Sequence, residues 1–140
     1  MTEDELSPSE RERLKLVETF RVGFHRVDVE LLRSVLTEDF VWHLHYNAPV
    51  PDGPTGTVLH GVEALVGELK RRREQWRDTW FEGLRERTVG DDGILQMFTA
   101  TGKDEQGKPF HVNVVDLYDV RDGRISKKDT YWKGIWTYSS

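Results

Sequence analysis

The chain has 140 residues, a formal net charge of −5, no cysteine and a mean hydropathy of −0.64. That length suits one domain. The missing cysteine excludes disulfides, a thiol nucleophile and zinc–thiolate chemistry, the acidity argues against nucleic-acid binding, and no apolar run nears the roughly 20 residues of a membrane span. Yet 11% of the residues are aromatic, with five Trp, six Phe and four Tyr. Disordered chains are poor in such rings, so here they pack in a core or line a cavity. The acidic start, Met1-Thr-Glu-Asp-Glu, does not resemble a secretory signal, and the expected location is the cytoplasm.

Residues 1–8 read as a flexible acidic N-terminus and 9–137 as a single domain. Ser7-Pro8-Ser9-Glu10 has the form of a capping box with proline at the first helical position. Leu16, Phe20, Phe24 and Val27 follow at helical spacing, which predicts a helix to about Arg26. Asp28 caps a second, shorter helix with Leu31, Leu32, Val35 and Leu36 inward, ended by Thr37-Glu38-Asp39. Phe40 to Tyr46 is aromatic and β-branched and predicts a strand. Asn47 to Gly56 holds three prolines and two glycines and reads as a loop. A short extended piece, Thr57 to Leu59, leads through His60-Gly61 to a third helix over about Val62–Gln75. Its run Lys70 to Arg73 reads as a solvated basic face at a helix C-terminus.

Four long strand candidates follow: Trp80–Val89, Ile94–Thr101, Pro109–Val120 and Arg124–Trp136. Short connections rich in Gly and Asp join them, as hairpins require. Helices gathered first and strands afterwards predict an α+β domain, with no repeat and no second domain.

Thr37-Glu38-Asp39-Phe40-Val41-Trp42-His43, His60-Gly61-Val62-Glu63-Ala64, Val114-Val115-Asp116-Leu117-Tyr118, and Asp122 to Ile125 through Tyr131-Trp132 carry a likeness to a known group. With these stretches in this order, residues 9–136 resemble the nuclear-transport-factor-2-like superfamily, and within it the SnoaL-like and ketosteroid-isomerase-like proteins. The resemblance implies three N-terminal helices packed on a strongly bent antiparallel sheet that forms a cone-shaped apolar pocket. It also implies work without a cofactor. The ketosteroid isomerases pair a carboxylate base with a tyrosine and a protonated aspartic acid. Here the resemblance places Asp116 at the aspartic acid, Leu44 at the base, flanked by His43 and His45, and Phe20 at the tyrosine. Leu36 and Leu69 fall where some members carry supporting tyrosines. The steroid-isomerase set is therefore mostly missing. Trp132 matches an aromatic that lines the family pocket.

Read as residues, the strand 109–120 puts Val112, Val114, Asp116 and Tyr118 on one face. A carboxyl among valines is costly unless paired or protonated, and its pKa should rise. On the last strand Lys128, Thr130 and Trp132 alternate with Lys127, Asp129 and Tyr131, and the family match turns the first set to the pocket. Lys128 could then approach Asp116, as an ion-pair partner or as a desolvated amine; a solvated lysine, or a one-residue register slip, are the alternatives. His43 and His45 share a strand face. One of them could serve as a general base; otherwise they lie at a sheet surface or subunit interface. His-x-His can chelate a metal, but no acidic or cysteine ligand is evident beside it, so no metal is assigned.

The expectation is a small-molecule pocket protein doing cofactor-independent acid–base chemistry, of isomerase, cyclase or dehydratase type, on an apolar cyclic carbonyl compound. Asp116, His43, His45 and Lys128 are the catalytic candidates, and Phe20, Trp42, Leu44, Val114, Tyr118, Thr130 and Trp132 the pocket lining. The alternative is a non-catalytic module of the same fold that binds a hydrophobic ligand or dimerises. Epoxide hydrolysis, which in the resembled fold usually uses an Asp-Arg-Asp set, is a weaker option, since no inward arginine is evident on the central strands, although Arg85 and Arg87 on the first long strand leave it open. A homodimer through the outer sheet face, with Val115, Leu117 and Tyr131, is the expected assembly.

Overall fold

The computed structural model describes residues 5–45 and 57–133. Residues 1–4 of the expected tail, Tyr46, the proline-rich loop and the stretch of the last strand through Trp136 lie outside the described residues. Helix α1 spans Pro8–Arg26, and its capping box is complete: Ser7 Oγ accepts from Glu10 N at 3.1 Å, and Glu10 Oε1 from Ser7 N at 3.0 Å. The Asp28 carboxylate caps α2 (Val29–Val35) by accepting from Leu31 N.

The chain then enters strand β1 (Leu36–Leu44) with no intervening loop. Thr37-Glu38-Asp39, expected to end the helix, already belongs to the strand. The reason is tertiary: Leu36 pairs with Ile125, and both side chains are buried. Strand β2 (Thr57–His60) and helix α3 (Gly61–Gln75) follow. Next come β3 (Arg77–Val89), β4 (Gly93–Lys103), β5 (Pro109–Arg121) and β6 (Arg124–Lys133), with β4, β5 and β6 each antiparallel to the strand before it.

The six strands form one sheet in the order β2-β1-β6-β5-β4-β3. It is mixed, not wholly antiparallel as expected. After β2 and α3 the chain crosses to the far edge, and the meander brings β6 back beside β1 running in the same direction. The edge strand β3 is bulged: Glu82 lies opposite Thr99 and Arg85 opposite Met97, so β3 holds one extra residue there. Gly83 sits in that bulge with φ +72°, a left-handed conformation that suits glycine.

The α+β architecture follows from one apolar sheet face that the three helices cover. Val17 and Phe20 of α1, Leu32 of α2 and Leu65 of α3 pack with Phe40, Ile94 and Ile125 of the sheet. A smaller cluster of Ala100, Val112 and Val114 lies farther along, backed by Phe98, Phe110 and Trp132. Leu65 is completely buried between α3 and β1. Truncating it to alanine removes buried methyl groups and leaves a void, so Leu65→Ala is expected to lose about 2–5 kcal/mol. Chemical denaturation read by tryptophan fluorescence measures this; a loss well under 1 kcal/mol would contradict the packing described.

Candidate functional site

Between the two apolar clusters the concave face of the sheet is left open as a cavity of about 400 Å³. Alternation along the strands selects what enters it. On β5 the inward set is Val112, Val114, Asp116 and Tyr118, all buried. On β6 it is Lys128, Thr130 and Trp132, and the register sets Tyr118 opposite Lys128, Asp116 opposite Thr130, and Val114 opposite Trp132. Trp42 enters from β1, Gln96, Phe98 and Ala100 from β4, and Phe20, Arg21 and Phe24 from α1. Arg72 of α3 reaches in as well, with its guanidinium 4.5 Å from the Trp76 ring centroid and 5.0 Å from that of Trp42. This corrects the reading of Lys70 to Arg73 as a wholly solvated face. Glu68 pairs with the Arg72 guanidinium at 2.7 Å, and the two indole rings supply cation–π contacts that water would otherwise replace.

Asp116 is 2% exposed and Lys128 4%, and Lys128 Nζ stands 3.9 Å from Asp116 Oδ2. The other carboxyl oxygen is committed. The Trp42 indole N–H donates to Thr130 Oγ1 at 2.8 Å, and Thr130 donates its own proton to Asp116 Oδ1 at 2.5 Å. An indole can only donate, which sets the direction of this chain. Oδ2 is thus the oxygen turned toward Lys128. Burial raises the Asp116 pKa, against the opposing pull of the Lys128 charge and the Thr130 hydrogen bond. Burial also pushes Lys128 down to about 8, against the Asp116 charge.

Lys128 lies among aromatic rings. Its Nζ is 4.0 Å from the Phe24 centroid, 4.7 Å from Trp42, 5.1 Å from Phe20 and 5.6 Å from Tyr118. The ring faces favour the ammonium form, and so does Asp116. Burial opposes it most, and the nearby Arg72 charge opposes it as well.

A second chain of polar groups supports Tyr118. Its hydroxyl donates to Gln96 Oε1 at 2.8 Å, Gln96 Nε2 donates to Glu86 Oε2 at 2.8 Å, and Arg21 pairs with Glu86 at 2.6 Å. The phenol proton is therefore directed at Gln96. Burial first, and then the Asp116 and Glu86 charges, raise the Tyr118 pKa well above its ordinary value.

The structure brings Asp116 and Lys128 together and keeps the histidines away from them. His43 and His45 lie on the outer face of β1, where His45 Nε2 is 2.8 Å and His43 Nδ1 3.5 Å from Asp129 Oδ1. Neither lines the cavity. Burial holds His43 below its ordinary pKa, against the raising effect of Asp129. Of the expected lining, Phe20, Trp42, Val114, Tyr118, Thr130 and Trp132 do face the cavity, whereas Leu44 is buried in the main core. The arginines at the cavity are Arg21 and Arg72, which come from helices; Arg85 and Arg87 do not line it. The sequence does not single out Gln96 or Glu86, and it shows Arg72 only as one member of a basic run. Gln96 was findable, because it alternates with Ile94 and Phe98 on a strand whose register with Asp116 is direct.

Two charges that support each other should titrate together. Lys128→Met removes the cation that holds Asp116 down, so the Asp116 carboxyl should titrate at higher pH than in the wild type, read by ¹³C NMR. Asp116→Asn should likewise move Lys128 below about 8. The stability sign follows. Between about 8 and the ordinary 10.5, unfolded Lys128 is still protonated while the folded side chain has released its proton. Wild-type stability relative to Lys128→Met should therefore rise with pH across that window. A flat difference, or an unmoved carboxyl, would refute the coupling.

Comparison with known proteins agrees with this geometry. The SnoaL-like domain family matches residues 17–128. Among solved structures, a nuclear-transport-factor-2-like protein from Burkholderia xenovorans superposes with TM-score 0.76 at 21% identity, over 91% of this chain and 93% of the other. A protein given the name of a polyketide cyclase, from Xanthomonas campestris pv. campestris, superposes with TM-score 0.70 at 18% identity, over 89% and 93%. An LEH-like epoxide hydrolase from M. tuberculosis superposes with TM-score 0.62 at 20% identity, over 90% and 86%. At these identities the likeness is one of fold. No functionally curated protein matches the sequence. With residues 17–128, most of its length, matched by the family model, the chain belongs to the SnoaL-like domain family.

Proposed function

We propose that this protein is a cofactor-independent acid–base enzyme acting on an apolar cyclic carbonyl compound. The observation that carries this reading is the Asp116 carboxyl, buried in an aromatic cavity with one oxygen held by Thr130 and the other turned toward Lys128. The cavity volume of about 400 Å³ suits a compact ring system.

In this reading the substrate carbonyl oxygen lies against the Lys128 ammonium, and Asp116 Oδ2 takes a proton from the adjacent carbon. Negative charge developing on the oxygen is met by a fixed cation in a site walled by rings, where such stabilisation is strong. The proton on Asp116 then returns to a different carbon in an isomerisation, or protonates a leaving group in an elimination. A raised carboxyl pKa brings the base closer to neutrality, which improves its action at physiological pH. His43 and His45 take no part, since the sheet separates them from the cavity. Being named for a cyclase and an epoxide hydrolase, two of the structural neighbours are consistent with small-molecule chemistry in this fold.

The test uses exchange of α-protons for deuterium in a panel of cyclic ketones and enones, followed by NMR. Asp116→Asn should slow enzyme-dependent exchange by about 10²–10⁴-fold, measured at a temperature where circular dichroism shows the variant folded, since leaving the Lys128 charge buried without its partner should lower the melting temperature. Full exchange activity in that variant would overturn the assignment. Binding of the ketones with no exchange in the wild type would replace it with a ligand-binding module.

We further propose a homodimer through the outer sheet face, supported by Leu117 and Tyr131, which are 38% and 43% exposed there. Light scattering should return twice the chain mass of 16.3 kDa at micromolar concentration. A monomer at that concentration would refute the interface.

A further inference from the structure

The sequence offered His-x-His on a strand and no acidic ligand beside it. The fold supplies one. Strand β1 pairs with β6 in parallel, and the register sets His43 directly beside Asp129. His45 is two residues on and returns to the same face. Among the described residues, His43, His45 and Asp129 form a group whose ligand atoms all lie within 4.8 Å of one another.

We propose that His43, His45 and Asp129 bind one divalent transition-metal cation of the zinc type on the outer face of the sheet, apart from the cavity. The spacing fits. Around a tetrahedral ion with bonds of about 2.0–2.1 Å, neighbouring ligand atoms stand about 3.3 Å apart. Here Asp129 Oδ1 is 2.8 Å from His45 Nε2 and 3.5 Å from His43 Nδ1. Small side-chain rotations bring both separations to that value. The ligand set of imidazole nitrogens and one carboxylate oxygen suits zinc and its neighbours over calcium or magnesium, which prefer oxygen alone. Three protein ligands leave a coordination position for water.

The platform is fixed before any ion arrives. All three residues stand on hydrogen-bonded strands, and the His45 ring is stacked on Tyr131 with centroids 4.2 Å apart and planes 3° from parallel. Lys127 is the competitor: its Nζ lies 3.4 Å from Asp129 Oδ2 and it shares the carboxylate's charge. Its side chain is substantially exposed and can swing away. A bound ion would join β1 to β6, the parallel pair of the sheet.

The experiment is calorimetric titration of chelator-treated full-length protein with Zn²⁺, together with visible absorption on adding Co²⁺. The wild type should bind one Zn²⁺ per chain in either oligomeric state, raise its melting temperature with Zn²⁺, and give the ligand-field bands of a Co²⁺ ion bound by nitrogen and oxygen. Asp129→Asn and His45→Gln, each confirmed folded by circular dichroism, should weaken Zn²⁺ binding roughly tenfold or more, because even residues that only support metal ligands cost that much. Lys127→Met should tighten it. Absence of binding in the wild type, or affinity unchanged in both Asp129→Asn and His45→Gln, would overturn the site. None of these readouts depends on the chemistry assigned to Asp116.

Discussion

The buried pair of Asp116 and Lys128 is the constraint around which the concave side of this molecule is arranged. Two opposite charges are removed from water 3.9 Å apart, and neither is tolerable there without the other and without further partners. The surroundings answer each requirement. Thr130, oriented by Trp42, satisfies one carboxyl oxygen; four ring faces surround the ammonium; Arg72 adds positive charge from the helix side. Such a pair is a poor way to stabilise a fold, since apolar side chains of equal volume commonly do as well or better. Its place at the base of a cavity fits the acid–base role proposed for it.

Much of this was readable before any coordinates. The capping box at Ser7 and Glu10 is a local device, and it stands where the spacing put it. Asp116 stood out because strand alternation is strict and its face is otherwise valine and tyrosine. The same rule governs β1. Trp42 and Leu44 were expected to line the pocket while His43 and His45 were expected to act in it, yet neighbours on a strand point to opposite faces. Sending Trp42 inward sends His43 outward.

Other features had no local signal. Leu36 begins a strand because Ile125 lies beside it, 89 positions later in a 140-residue chain. Arg72 looks like one cation in a basic run until Trp42 and Trp76 are seen to converge on it. Asp129 joins the histidines only through a parallel register that follows from how the meander returns. In each case the deciding neighbour is remote in sequence, and helical or strand periodicity carries no information about it.

The bulge at Gly83 has an effect of another kind. By inserting one residue into the edge strand it turns Phe81, Glu82, Gly83 and Leu84 all to the rim of the cavity, where regular alternation would have turned only half of them. Phe81 and Leu84 are exposed and stand outside the main core, so exchanging them disturbs folding little. The base of the cavity is built from buried β5 and β6 residues, while its mouth is built from an exposed edge. Descendants of this sequence can therefore change what the cavity admits by drift at the rim while its buried base stays intact.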